Sequence, residues 1–264
     1  MRFLIIGQGN IGQAVAIQLA RAGHDITAVA RSAKCYPDDV AVTFWQKNAL
    51  DLTKNELDDF DGVAIIITPD KNSDRVQAYK DSYLAVCQHM ADLKIDCQKV
   101  LFVSSTSVYG ENDGQLIDEN TPACPSNPTA LVLLNAENLI SATYGRRAII
   151  VRPSGIYGGS NRMIELAKKA HQDGVPSHHH TNRIHQTDLV AIIAKILVMA
   201  TPKPLYLVSD FDGATLAQVL GFICQVRGYP MPVLIPSAPT GKRIMPNIDK
   251  SWLTFENYRS GYAV

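Results

Sequence analysis

The sequence predicts an α/β fold, a doubly wound parallel sheet with helices on both faces and a small cap toward the C-terminus. Three observations carry that prediction. Short apolar runs recur at 3–6, 26–30, 63–67, 100–103, 148–151 and 205–208, separated by helical patterns. The run 63–67 is apolar throughout rather than alternating, as in strands covered on both faces. The first run also ends in Gly7-Gln8-Gly9-Asn10-Ile11-Gly12, a glycine turn that opens a helical pattern.

Each element follows from its residues. The run 3–6 is the first strand. Gly7 lets the chain leave it in a tight turn, Gly9 offers bare backbone to a pyrophosphate, and Gly12 lets the helix at 14–22 pack close to the sheet. A phosphate held there sits on the free N–H groups and positive dipole end of that helix. The run 26–30 completes a strand–turn–helix–strand unit. In that context the hexapeptide reads as a dinucleotide-binding turn, with Asn10 and Ile11 inside it.

Arg31 closes the second strand, about twenty positions after the glycines, where an Asp or Glu would accept from the ribose 2′-OH of NAD. The acid is missing and an Arg is present, which suits the 2′-phosphate of NADP, with Ser32 and Lys34 beside it. NADP(H) is therefore expected over NAD(H); the other reading of Arg31 is a solvated side chain at a strand end. Asp51, followed by Leu52, comes after segment 40–49. It reads either as an acceptor for the adenine or as the acid of a helix start at 53–56. Thr68 and Pro69 end the run 63–67, and strands of such sheets present ligand contacts at their carboxyl ends. A long helix is expected from Ser73 to Leu93, with Val76, Tyr79, Tyr83, Val86, Cys87, Met90 and Leu93 as a core stripe and His89 at the surface.

The run 100–103 leads into Ser104-Ser105-Thr106-Ser107-Val108-Tyr109-Gly110. Later come Arg152-Pro153-Ser154-Gly155-Ile156-Tyr157-Gly158 and Asn182-Arg183-Ile184-His185-Gln186-Thr187-Asp188-Leu189. With the glycine turn, these motifs in this order resemble the extended short-chain dehydrogenase/reductases, the NAD-dependent epimerase/dehydratase group acting largely on nucleotide sugars, over nearly the whole chain. The resemblance implies a Rossmann domain at 1–153 and 186–208 and a substrate cap at 154–185 and 209–264. It implies that Ser104, Pro153 and Ile156 adjoin the cofactor and that Ser105 is the active-site hydroxyl. It also implies a monomer or homodimer, relatives pairing through helices like those near 74–93 and 129–143. The segment Gly241-Lys242-Arg243 with Asn247 resembles one that some relatives use against a substrate phosphate; a surface basic cluster is the other reading.

One departure stands out. The family carries Y-x-x-x-K on the helix after the V-Y-G strand, followed by a Glu. Glu137 fits the trailing acid, and counting back from it puts Thr129 at the Tyr position and Leu133 at the Lys position. In active relatives the Tyr is the acid/base and the Lys lowers its pKa, both on one helix face. Thr129 is a far weaker acid, and Leu133 has no charge. These departures resemble the atypical YeeZ-like branch of the family. Tyr109, Tyr157 and His185 are the other groups near the expected substrate side, and a structural role is the default for each.

The totals narrow the class. In 264 residues the formal net charge is zero and 46% are hydrophobic. That is no electrostatic footprint for nucleic acid or an acidic membrane surface. No apolar run has the length of a membrane span, and the N-terminus reads as strand and turn rather than signal peptide. Five scattered cysteines without C-x-x-C suit reduced thiols and a cytoplasmic location. His178-His179-His180 reads as an exposed loop rather than a metal site, since neighbours on a strand face opposite ways. The sequence thus points to an NAD(P)-binding oxidoreductase or epimerase-like enzyme with a non-standard site and a nucleotide-sugar-like substrate. The alternatives are a non-catalytic NADP(H)-binding sensor or regulatory protein, and a purely structural protein.

Overall fold

The structure is a computed structural model that describes residues 1–70 and 74–263. Its centre is a seven-stranded sheet whose registered pairs are all parallel. The strands β1 (Arg2–Ile6), β2 (Asp25–Ala30), β3 (Val42–Gln46), β4 (Gly62–Ile65) and β5 (Lys99–Val103) are joined by Ala148–Pro153 and Leu205–Val208. Across the sheet the order is Leu205–Val208, Ala148–Pro153, β5, β4, β1, β2, β3. The winding reverses at β1, which lies between β4 and β2, so the carboxyl ends of β1 and β4 flank a switch-point crevice. Phe3, Leu4 and Ile5 on β1 and Val63, Ala64 and Ile65 on β4 are wholly buried. Each large apolar side chain of this kind contributes about 1.5–3 kcal/mol by leaving water.

The helix α1 (Asn10–Arg21) begins earlier than the periodicity of 14–22 indicates, because Gly9 is already its N-cap. The third strand is only Val42–Gln46; Asn48 then turns the chain, its side chain accepting from Leu50 N at 3.2 Å. The ladder of β4 ends at Ile65, two residues before the apolar run does. The long helix is three pieces, Arg75–Tyr79, a π turn at Lys80–Leu84, and Ala85–Leu93. Asp74 caps it by accepting from Gln77 N at 2.9 Å; the expected start at Ser73 lies outside the described residues. Within it the Ser82 hydroxyl donates back to Ala78 O at 2.6 Å, a bond that competes with the regular ladder. His89 is half-buried, with Nε2 2.8 Å from Leu52 O. Helix Pro128–Tyr144 is capped by Asn127 and tied by the Tyr144 hydroxyl to Met90 O. Buried Lys99 donates to Leu197 O at 2.8 Å, placing a cation at the C-terminus of helix Gln186–Val198.

The chain divides into two compact units. The first comprises 1–109, 125–152 and 190–206; the second comprises 110–124, 153–189 and 207–264. Segment 110–124, which the sequence reading places with the nucleotide-binding part, joins the second unit because Asp113–Ile117 pairs with Thr240–Ile244. The second unit packs helices Arg162–Asp173 and Leu216–Arg227 around Tyr157, Met163, Ala167, Val219 and Ile223, with Tyr258 and Tyr262. The histidine triplet is not a plain exposed loop. His179–His180 forms a short strand beside Thr240–Gly241, and all three Nδ1 atoms have oxygen neighbours, Ser237 O, Thr240 Oγ1 and Gly213 O. All five cysteines are free thiols. No helix among the described residues is long and apolar enough to cross a membrane, and none of their His, Cys, Asp and Glu side chains cluster as a metal site.

Candidate functional site

The crevice at the carboxyl ends of β1 and β4 holds a cleft of about 820 Å³, lined entirely by the first unit. Its floor is the glycine turn. Gly7 has φ +94°, and a Cβ there would lie 2.2 Å from Ile66 O. A Cβ on Gly12 would lie 1.9 Å from Gly7 O, so the helix can approach the turn this closely only without one. Gly9 differs from both: it lines the cleft, and a Cβ there meets nothing within 4 Å. Between them Gln8 is buried and pins the turn, donating to Ile5 O at 2.9 Å and accepting from the Tyr36 hydroxyl at 2.8 Å. Burial pushes the Tyr36 phenol up to about 12, so it stays a donor. The first turn of α1 carries no acidic residue and has no side-chain cap, so its N–H groups and dipole are free for an anion. An open space over bare backbone at a helix start fits the pyrophosphate of a dinucleotide.

From the turn the cleft runs past the end of β2, lined by Arg31, Ser32 and Lys34, and past Lys47, Asn48, Ala49 and Leu50. The opposite side is Ile66, Ile67, Thr68 and Asp70, with Ala78, Asp81, Ser82 and Val86 from the long helix. Arg31 and Asp70 form a two-pronged ion pair at 2.9 and 3.1 Å. Hydrogen bonding raises the Arg31 pKa and lowers that of Asp70. Lys47 is held by Glu56 at 2.8 Å, and its bond, with those from Thr53, brings the Glu56 carboxyl down to about 2.

The structure thus brings Gly7, Gly9, Arg31, Ser32 and Thr68 to one cleft. Asn10, Ile11 and Gly12 form the first turn of α1 behind the floor. Asp51 sits exposed on the turn Ala49–Asp51 and Leu52 is buried beneath it; the lining there is Asn48 to Leu50. Pro69 is half-buried between the lining residues Thr68 and Asp70. Gln8, at a variable position of the glycine motif, and Asp70, Asp81 and Ser82, which lie in no motif, are additions to the expected lining.

Beyond the end of β5 the first unit holds a buried polar chain. The Ser104 hydroxyl donates to Glu137, which pairs with Arg152 at 2.5 Å and 3.1 Å. Arg152 Nη1 donates to the Tyr109 hydroxyl at 2.6 Å, with the guanidinium 4.9 Å over that ring. Desolvation opposes the Arg152 charge, yet the Glu137 bonds outweigh it and raise its pKa. Ser104 is therefore committed to Glu137. Ser105 Oγ accepts from Ser107 N at 3.1 Å, capping the short helix Thr106–Val108. Thr129 Oγ1 donates to Asn127 Oδ1 at 2.7 Å, and Leu133 is buried. Neither carries a phenol or an ammonium.

In the second unit Pro153 ends its strand and Ile156 lies exposed on Gly155–Tyr157. Tyr157 stacks on Tyr262 at 4.7 Å, and burial raises its phenol's pKa. His185 lies 3.9 Å from the Phe255 ring, and burial lowers its pKa. Asp188 is buried and accepts from Thr254 N and Phe255 N at 2.9 and 3.0 Å. Of the basic segment, Arg243 Nε donates to Gly114 O at 3.0 Å and Asn247 Oδ1 accepts from Leu207 N at 2.8 Å. Buried Asp210 was not signalled by any motif: desolvation pushes its carboxyl up to about 7, and its Oδ2 has no partner.

The model of the NAD dependent epimerase/dehydratase family matches residues 3–203. No curated protein matches the chain. Among solved structures, one from Methylobacillus flagellatus, provisionally described as an NAD-dependent epimerase/dehydratase, is 27% identical with a TM-score of 0.78, over 99% of this chain and 96% of that one. A functionally unknown conserved protein from Silicibacter pomeroyi is 22% identical with a TM-score of 0.72, over 99% and 96%. A UDP-glucuronic acid 4-epimerase from Bacillus cereus in complex with NAD is 16% identical with a TM-score of 0.79, over 100% and 96%. The last two likenesses are of fold. With the switch-point cleft, the glycine turn beneath it and a family model spanning most of the sequence, this chain belongs to the NAD-dependent epimerase/dehydratase family.

Proposed function

We propose that this protein is an oxidoreductase or epimerase-like enzyme that favours NADP(H), acts on a nucleotide-sugar-like small molecule, and works without the usual Tyr–Lys pair of its family. The observation that carries the reading is the cleft over Gly9, bare at a helix start and flanked by Arg31, Ser32 and Lys34. Gly7, Gly9, Asn10, Ile11 and Gly12 would hold the pyrophosphate, and Asn48 to Leu50 with Thr68 would line the adenosine side. A bound nicotinamide supplies a hydride donor or acceptor. Ser105 orients a reacting oxygen but cannot by itself move a proton near neutral pH. The test is calorimetric titration with NADPH, NADH, NADP and NAD, followed by turnover assays on UDP-sugars. Binding with NADPH tightest and measurable turnover is the expected result; NADH binding best would overturn the cofactor preference.

A non-catalytic NADP(H)-binding sensor is favoured by one observation: Thr129 is occupied with Asn127 and Leu133 is buried, so that helix face offers no acid/base. Tight nucleotide binding with no turnover on any UDP-sugar would select it.

A further inference from the structure

The cleft's cationic end is not simply basic. Arg31 at the end of β2 and Asp70 after β4 both line it, and they face each other 39 residues apart in sequence. Arg31 Nη1 and Nη2 each donate to a different oxygen of the Asp70 carboxylate, at 3.1 and 2.9 Å. That planar fork is the part of an arginine that grips a phosphate. A 2′-phosphate and Asp70 therefore want the same two N–H groups.

Resting on the dinucleotide reading of this cleft, we infer that Asp70 is a cofactor-specificity residue. Its carboxylate competes with the 2′-phosphate of NADP(H) for Arg31, so the Arg31–Asp70 pair, not Arg31 alone, sets the preference between phosphorylated and unphosphorylated dinucleotides.

Both side chains are about two-thirds exposed, 64% and 65%. A pair so exposed is weak, worth at most about a fivefold change in an equilibrium. A phosphate can take Arg31 from it, but loses that factor and meets a displaced carboxylate close by. A dinucleotide without the phosphate leaves the pair intact and feels neither effect. Lys34 stays available to a phosphate in both cases, whereas Lys47 is already held by Glu56. Asp70 thus moderates a preference that Arg31, Ser32 and Lys34 would otherwise make steeper.

The test uses the full chain and two probes, NADPH and NADH, titrated against wild type, Asp70→Asn, Arg31→Ala and the double variant. Asp70→Asn is expected to tighten NADPH about three- to tenfold and to leave NADH within about twofold. The gain should shrink in about 0.5 M salt, where exposed charges are screened. It should be smaller in the Arg31→Ala background, because there is no fork to release. Asp70→Ala must move in the same direction, which separates charge from shape. Equal changes for both nucleotides, no change for NADPH, or a gain fully kept without Arg31 would each overturn the inference. Wild-type protein that binds neither nucleotide would overturn the reading of the cleft itself, so the two failures are told apart by the first titration.

Discussion

Glu137 and Arg152 form a buried ion pair, their side chains only 3% and 9% exposed, between helix Pro128–Tyr144 and the strand Ala148–Pro153. Ser104 and Tyr109 extend it at either end, so Glu137 and Arg152 do not lack neighbours to share their charge. Breaking such a pair from one side strands a charge away from water, whereas removing both sides does not.

Glu137→Leu is therefore expected to lower stability by about 3–5 kcal/mol, and Glu137→Leu with Arg152→Met to recover most of the loss. Urea unfolding of the two variants checks this. Equal losses in both would mean that packing, not charge, explains the cost.

Two of the turn's three glycines, Gly12 and Gly9, should separate folding from binding. Gly12→Ala puts a Cβ into Gly7 O and is expected to lower the melting temperature and abolish dinucleotide binding together. Gly9→Ala enters open space and should leave the melting temperature unchanged while weakening binding about 10–100-fold. Thermal melts with and without NADPH measure both. An unaltered affinity in Gly9→Ala would place the pyrophosphate elsewhere.

Asp210 should leave a mark on the pH dependence of stability. Its folded pKa, about 7, lies above the ordinary aspartate value of 3.8, so between these pH values the native state holds a proton that the unfolded chain releases. Stability from this group is complete below about pH 4 and declines as pH rises to about 7. Asp210→Asn should flatten that decline, read by urea unfolding at steps from pH 4 to pH 8. A slope identical to wild type would show that Asp210 ionises normally.

Lys99→Met should remove the cation that closes helix Gln186–Val198, leaving Leu197 O without this donor. A loss of about 1–3 kcal/mol is expected, as for an orphaned buried acceptor. Hydrogen exchange should then be fastest in the last turn of that helix; uniform acceleration would argue against a local role.

The frame of the molecule was readable because its signals are short in sequence. The runs 3–6, 26–30, 100–103 and 205–208 and the glycine turn each carry their evidence within a few residues, and the structure places a strand at each run. What escaped was made by distance. Asp70 reaches Arg31 and strand Asp113–Ile117 finds Thr240–Ile244 only after the chain has closed. Nothing local marks Asp210 as buried: Asp210 sits beside exposed Phe211, and its burial comes from the packing of the second unit. Ser104 and Ser105 share a motif, yet only the fold shows that the first hydroxyl is spent on Glu137 and the second on a backbone cap.

The π turn at Lys80–Leu84 has a consequence for how this protein can vary. One extra residue in a turn shifts the phase of everything that follows by about 100°. Ahead of and within it, Ala78, Asp81 and Ser82 look onto the cleft, while after it Val86 adds to that wall and Cys87 and Met90 sit wholly in the core. A homologue shortened by a single position here could keep Ala78, Asp81 and Ser82 in phase, or Val86, Cys87 and Met90, but not both sets. The length of this helix is thereby constrained more tightly than the identity of its side chains.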